Sequence, residues 1–178
     1  MLEKTKVANT IELAKEIGDP VSAKILLFGE YSVLFNSDAL VMPYDGFQGQ
    51  LKLGGKETKS HLEIMKFYNF LKTQSFSFID LHKLEESLDL GLYFDSSIPI
   101  GQGLGSSAAL TARIFSEYCN VKGDISEDEL KSHLGLLESL FHGKSSCFDP
   151  LVCYLNKPIN KRMNILKIQK FKKQVYLV

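Results

Sequence analysis

Apolar positions in this chain fall into short continuous runs and longer stretches at helical spacing, and the changes between the two mark its elements. Ile25-Leu26-Leu27-Phe28 is an unbroken apolar run closed by Gly29, which predicts a buried strand. Residues 39–43 and 47–53 read as two further strands, broken by Pro43-Tyr44-Asp45-Gly46 and ended by Gly54-Gly55. From His61 to Lys72 the spacing becomes helical, and Leu62, Met65, Phe67, Tyr68, Phe70 and Leu71 form a wide apolar face expected in the core. Ser77–Ile79 suggests a short strand, Asp80-Leu81-His82 opens a short helix to Leu88, and Leu92-Tyr93-Phe94 predicts another strand. An apolar, Ala-rich helix then runs from Ser107 to about Cys119. Ser126 before Glu127-Asp128-Glu129 is an N-cap followed by acids where the helix dipole favours them. Leu130, Leu134, Leu137 and Phe141 make the buried stripe of that helix, and Gly143 closes it. At the N-terminal end, residues 9–17 predict a short helix or a loosely held extension that stops at Gly18-Asp19-Pro20.

Composition narrows the class. The 178 residues suffice for one ordinary domain, and an apolar fraction of 44% with 24% charged residues is that of a folded globular protein. Basic and acidic residues balance at 21 each, so net charge points to no nucleic-acid partner. The balance is uneven, however: residues 157–178 hold seven Lys or Arg and no acid, a basic tail suited to solvent or to an acidic partner domain. Cys119, Cys147 and Cys153 lack metal-ligand spacing and follow no secretory signal, so reduced thiols and a cytoplasmic location are expected. No apolar run is long enough to span a membrane.

The candidate chemistry centres on Pro99-Ile100-Gly101-Gln102-Gly103-Leu104-Gly105-Ser106-Ser107-Ala108-Ala109. Three glycines at alternate positions can reach φ > 0 and let the backbone approach a ligand closely. The helix N-terminus that follows supplies N–H groups and a positive dipole end, which favour phosphate. Ser106 and Ser107 are expected to cap the turn and to offer a hydroxyl to a metal ion or a phosphate. The same composition also suits a plain β-to-α turn. It is neither a Walker A loop, since no Lys follows the last glycine, nor a dinucleotide G-x-G-x-x-G loop.

The loop resembles the phosphate loop of the GHMP small-molecule kinases, P-x-x-x-G-L-G-S-S-A-A, and matches every fixed position. Two other stretches extend the resemblance. Lys24 before an apolar strand followed by Gly29-Glu30 is similar to the first family motif. Glu138, His142, Gly143, Ser146 and Asp149 are similar to the E…H-G-x-x-S-G-x-D pattern of mevalonate kinases, with Cys147 where the family has glycine. The resemblance implies an α+β fold, a mixed sheet with helices on one face around a βαβ unit. It implies ATP and Mg²⁺ as cofactors and γ-phosphate transfer to an alcohol or phosphate-monoester acceptor, most naturally an isoprenoid precursor. Gly101, Gly103, Leu104, Gly105, Ser106, Ser107 and Ala108 would bind the nucleotide phosphates. Ser107 and Glu138 would hold magnesium, Asp149 would act as base, and Lys24 would be its cationic partner.

Without the resemblance, Lys24 and Glu30 read equally as strand-end charges, Glu138 as a solvated helix carboxylate, Asp149 as a turn former before Pro150, and His142 as a helix-end residue. The resemblance divides the chain into an extension at 1–21, an ATP-binding domain at 22–156, and the basic tail at 157–178 as the start of a C-terminal domain. Val175–Val178 reads as a strand without sheet neighbours, so a truncated protein or half of a split one is expected. A catalytically inactive nucleotide-binding or partner-binding remnant is the alternative, and Cys147 strains its loop by about 1–2 kcal/mol if that position needs φ > 0.

Overall fold

The computed structural model describes residues 14–29, 39–74, 76–121, 123–143, 145–162 and 165–168. The predicted helix at 9–13, Glu30 and the strand at 175–178 lie outside them, as does the side chain of His142.

Among the described residues, five strands form one sheet. β1 (Glu16–Phe28) pairs with β2 (Ala39–Lys52), and β2 pairs with both β3 (Tyr93–Ser96) and β4 (Ile159–Arg162), the latter in turn with β5 (Ile165–Ile168). β2 meets β3 through residues 49–52 and β4 through residues 39–41, so one long strand serves two partners along its edge. Every pair among the described residues is antiparallel, where a mixed sheet is expected. β4 and β5 lie in the stretch expected to be a basic tail, and they extend the same sheet.

Two sequence breakers turn out to be strand irregularities. Gly18-Asp19-Pro20, expected to end a helix, lies inside β1, and residues 16–17 are strand rather than helix. There the register slips between Ile17 opposite Leu51 and Val21 opposite Gly49, and Gly18 adopts φ +62°. A Cβ on Gly18 would fall 1.9 Å from the Arg113 guanidinium, so the glycine also makes room for a buried side chain. Likewise Pro43-Tyr44-Asp45-Gly46 does not split 39–53 into two strands. It forms a bulge in β2 opposite Ser22 and Ala23, held by a 2.7 Å hydrogen bond from the Ser22 hydroxyl to Asp45.

Among the described residues there are five helices. α1 (Lys59–Gln74) packs against α2 (Leu81–Asp89) and β3, and α3 (Ser106–Tyr118) packs against β1, β2, α4 (Glu127–His142) and α5 (Phe148–Leu155). Of the five, α1, α3 and α5 pack on the sheet. α3 is buried along most of its length, and Ala108, Ala109 and Ala112 let it lie close to its neighbours. α4 starts with the expected cap, and it is a full capping box: Ser126 and Glu129 each hold the other's backbone N–H. Leu130, Leu134 and Leu137 are buried, while Phe141 is half-buried and stacks on Phe67 with ring centroids 5.1 Å apart. α2 is capped by Asp80, and the strand expected at 77–79 reduces to a single bridge between Ile79 and Cys119.

On α1 the buried side is His61, Ile64, Phe67, Tyr68 and Leu71. Leu62, Met65 and Phe70, expected in the core, are exposed. Apolar residues lie on more than one side of this helix, and the contacts with α2 and β3 select which of them face inward. His61 belongs inside because its Nδ1 meets the Leu92 carbonyl at 2.8 Å. Among the described residues no helix is long and apolar enough to cross a membrane.

Candidate functional site

Lys24 is where the site is joined. Its backbone N–H donates to the Leu104 carbonyl at 3.0 Å, which ties the glycine loop to β1. Its side chain runs past Gly105, where a Cβ would approach Lys24 Cγ to 2.7 Å. Its Nζ then reaches Asp149 Oδ2 at 2.7 Å. Gly105 is therefore needed twice, for this close approach and for its φ of +78°. Gly101 and Gly103 are also left-handed, at φ +77° and +72°, which gives the loop the winding that the sequence suggests.

One expectation is corrected here. Gly105, not a serine, is the N-cap of α3, and Ser106 and Ser107 lie in its first turn. A glycine cap places no side-chain oxygen over the helix end, and Ser106 and Ser107 of the first turn line the cleft.

The cleft has a volume of about 560 Å³. It brings together Lys24, Gly101, Gly103, Leu104, Gly105, Ser106, Ser107, Glu138 and Asp149, residues drawn from β1, the loop, α3, α4 and α5. Ala108 is fully buried beneath it and lines no wall. Ser60 and Glu63 of α1, Phe94 and Ser96 of β3, and Phe141 of α4 also line it, together with Ile98, Pro99, Ile100 and Leu110 around the loop and α3. None of the five from α1, β3 and α4 was singled out from the sequence as a site residue; they belong to no motif, and only the polar opening of α1 at Thr58-Lys59-Ser60 hints at one of them. Ser60 has a visible local task, since its hydroxyl accepts the Phe94 N–H at 2.9 Å and fixes α1 to β3.

Glu138 and Asp149 differ in setting. Glu138 is buried at 6% exposure, and its Oε2 accepts a hydrogen bond from the Ser145 hydroxyl. Burial pushes its carboxyl above the ordinary carboxylate value; the nearby Asp149 carboxylate adds to this, while Ser145 and Lys24 oppose it. Asp149 sits in the first turn of α5, a helix where the sequence predicts a loop. Pro150, read as a sign of a turn, is tolerated there because first-turn N–H groups lack intrahelical acceptors.

The raised Glu138 value fixes the sign of a pH effect. A carboxyl whose folded pKa exceeds its unfolded one contributes stability below the unfolded value, about 4.3, and loses it as pH rises through the folded value. In metal-free buffer, Glu138→Gln is therefore expected to gain stability relative to the parent chain as pH rises through that window, then to level off. Urea unfolding at several pH values measures this, and a gain that shrinks with pH would contradict it.

Cys147 takes the place of the family glycine, and it adopts φ +66° as the N-cap of α5. Its side chain lies against Gly135 of α4, where a Cβ would come within 2.1 Å of the Cys147 Sγ. Despite the strained conformation, Asp149 keeps its contact with Lys24. Cys147→Gly is expected to stabilise the chain by about 1 kcal/mol, the left-handed strain relieved less the added entropy of glycine in the unfolded state. Denaturant midpoints at constant m would show it, and a lower midpoint would mean that thiol packing on Gly135 outweighs the strain. The buried thiol of Cys153 is pushed up to about 12 by burial and is poorly reactive at neutral pH.

The glycine loop, the lysine that runs past it and the carboxylates of Glu138 and Asp149 meet in one cleft. The profile of the GHMP kinases N terminal domain matches residues 65–157, just over half of the chain. The chain belongs to the GHMP kinases. Among curated relatives, it is 25% identical over 155 residues to the mevalonate kinase of Pyrococcus horikoshii, covering 73% of this chain and 46% of that protein. It is 28% identical to that of Thermococcus onnurineus, with 73% and 47% covered. In fold it is similar to the Methanococcus jannaschii mevalonate kinase, with a TM-score of 0.56 at 18% identity over 88% of this chain and 56% of that one. It is also similar to the L. major mevalonate kinase solved with R-mevalonate, with a TM-score of 0.56 at 16% identity over 90% and 55%. This GHMP kinase chain thus spans about half the length of the curated relatives it matches.

The donors for a magnesium ion agree with the chemistry of the cleft. Among the described residues no group of three or more His, Cys, Asp or Glu side chains could enclose a metal. Mg²⁺, however, keeps several waters and is commonly held by one or two carboxylates together with substrate phosphates. Glu138 and Ser107 both line the cleft and offer hard oxygen donors of that kind.

Proposed function

We propose that this chain carries the nucleotide-binding half of a mevalonate-kinase-type phosphotransferase, which moves the γ-phosphate of ATP to the hydroxyl of a small alcohol or phosphate-monoester acceptor. Isoprenoid-precursor metabolism is the setting this reading implies. The observation that carries it is the convergence of Lys24, the left-handed glycine loop, Glu138 and Asp149 on one cleft.

In this reading the loop and the α3 N-terminus hold the nucleotide phosphates, with Gly101, Gly103, Leu104, Gly105, Ser106, Ser107 and the Ala108 backbone contributing. Glu138 and Ser107 hold Mg²⁺, which when bound offsets the negative charge of the phosphates. Asp149 accepts or orients the acceptor hydroxyl proton, and the Lys24 ammonium, 2.7 Å away, holds its carboxylate in place at the cleft. The domain boundaries at 21 and 156, a C-terminal half completing the enzyme, and a cytoplasmic location belong to the same proposal.

Calorimetric titration of the 178-residue chain with ATP, with and without magnesium, tests it. Magnesium-dependent binding that falls away in Ser107→Ala and Glu138→Ala is the expected result, and a folded chain that binds no nucleotide would remove the reading for this chain alone. A second reading, a nucleotide-binding remnant without turnover, is favoured by Cys147, a side-chain-bearing residue in a left-handed conformation two positions before the proposed base. Binding without transfer to any alcohol would select it.

A further inference from the structure

We infer that Ser145, which no motif assigns, is a positioning residue that locks the Glu138 carboxylate to the start of the helix carrying Asp149; this rests on the nucleotide-binding reading above. Its hydroxyl is used in both directions. It donates to Glu138 Oε2 on α4 and accepts the backbone N–H of Cys147, the N-cap of α5, at 2.8 Å. Ser145 itself belongs to neither helix, so its hydroxyl adds a hydrogen-bonded bridge between two helices that also pack on each other.

Both ends of the bridge matter to the cleft. Glu138 is buried, and a buried carboxylate oxygen without a donor is costly, so the Ser145 proton decides the rotamer in which Glu138 is retained. Holding Oε2 restricts rotation of the carboxylate that is to meet the metal. At the other end, Cys147 in its left-handed conformation turns its N–H back toward Ser145, and the next residues of α5 place Asp149 against Lys24. One hydroxyl therefore sets the placement of the metal-binding carboxylate and of the base carboxylate together. Ser146, the residue that fits the family pattern, is exposed, whereas Ser145 is half-buried between the helices.

The test compares the parent chain with Ser145→Ala and with Ser145→Thr, which keeps the hydroxyl. ATP affinity is measured by calorimetry at increasing magnesium, and amide hydrogen exchange is followed at Cys147. For the alanine variant the magnesium concentration giving half-maximal enhancement of ATP binding is expected to rise at least about tenfold, with metal-free ATP affinity within about twofold of the parent. Protection of the Cys147 amide should be lost in the same variant, and threonine should restore both readouts. An alanine variant with unchanged magnesium dependence would overturn the inference, and so would equal weakening of metal-free and metal-dependent binding, which is the mark of general damage. Should the parent chain bind no ATP, the nucleotide reading fails for this chain, and the Cys147 amide still decides the bridge: retained protection in Ser145→Ala refutes it, and loss restored by threonine supports it.

Discussion

Asparagine in place of Asp149 is expected, on the proposed phosphotransferase reading, to lower turnover by about a thousandfold, the usual worth of a positioned general base, while Mg-ATP affinity changes by less than about threefold. The substitution keeps the volume and one oxygen of the side chain but removes the negative charge that meets Lys24 Nζ at 2.7 Å. Asn cannot take a proton from an acceptor hydroxyl at neutral pH, so the loss should fall on kcat rather than on nucleotide binding. A coupled assay with mevalonate as the first acceptor, beside calorimetry with ATP, separates the two quantities. Retained turnover would mean that Asp149 only shapes the cleft and that the reacting hydroxyl is activated elsewhere.

Lys24→Met should have the second-largest effect, and it should act on both turnover and folding. The aliphatic stem of Lys24 fills the space beside Gly105, and methionine preserves much of that packing. What is lost is the charge, which sits at 6% exposure beside a carboxylate that remains partly open to solvent. Removing one such charged donor from a phosphoryl-transfer site is expected to cost about 10²–10³ in turnover. Because water can still reach Asp149, the stability loss should stay near 1–2 kcal/mol, well below the roughly 3–5 kcal/mol typical of breaking a fully buried pair. Urea unfolding and steady-state kinetics on the same preparation measure the two effects. Turnover within about threefold of the parent would show that the lysine serves packing and no charge stabilisation, given that donor's usual worth. The Lys24 backbone bond to Leu104 is untouched by the substitution, so the loop should keep its place and metal-free nucleotide affinity should change little.

Much of the site was legible from residue types because its parts depend on local backbone chemistry. Glycines at 101, 103 and 105 announce a left-handed loop, and all three take positive φ. Ser126 and Glu129 announce a capping box, and it forms. The motif residues Lys24, Ser107, Glu138 and Asp149 were named by pattern and line one cleft. The helix capping assigned to Ser106 and Ser107 failed by a single residue, since a glycine already in the left-handed conformation ends the loop and takes the cap position itself.

Other features had no local signal. Whether Gly18-Asp19-Pro20 ends an element or bulges inside one depends on β2 lying alongside and on Arg113 of α3 covering the glycine. Which half of the apolar surface of α1 is core depends on α2 and β3, and His61 enters that core only because the Leu92 carbonyl waits for it. The cleft walls from α1 and β3, the reach of β4 and β5 back to β2, and the Ser145 bridge between α4 and α5 likewise join residues distant in sequence or separated by a turn. Backbone dihedrals, caps and short motifs are settled within a few residues, and sequence alone carries them. Register, the choice of buried face and the meeting of Lys24 with Asp149 across 125 positions are settled by which surfaces exclude water together, and that choice exists only once the chain has folded.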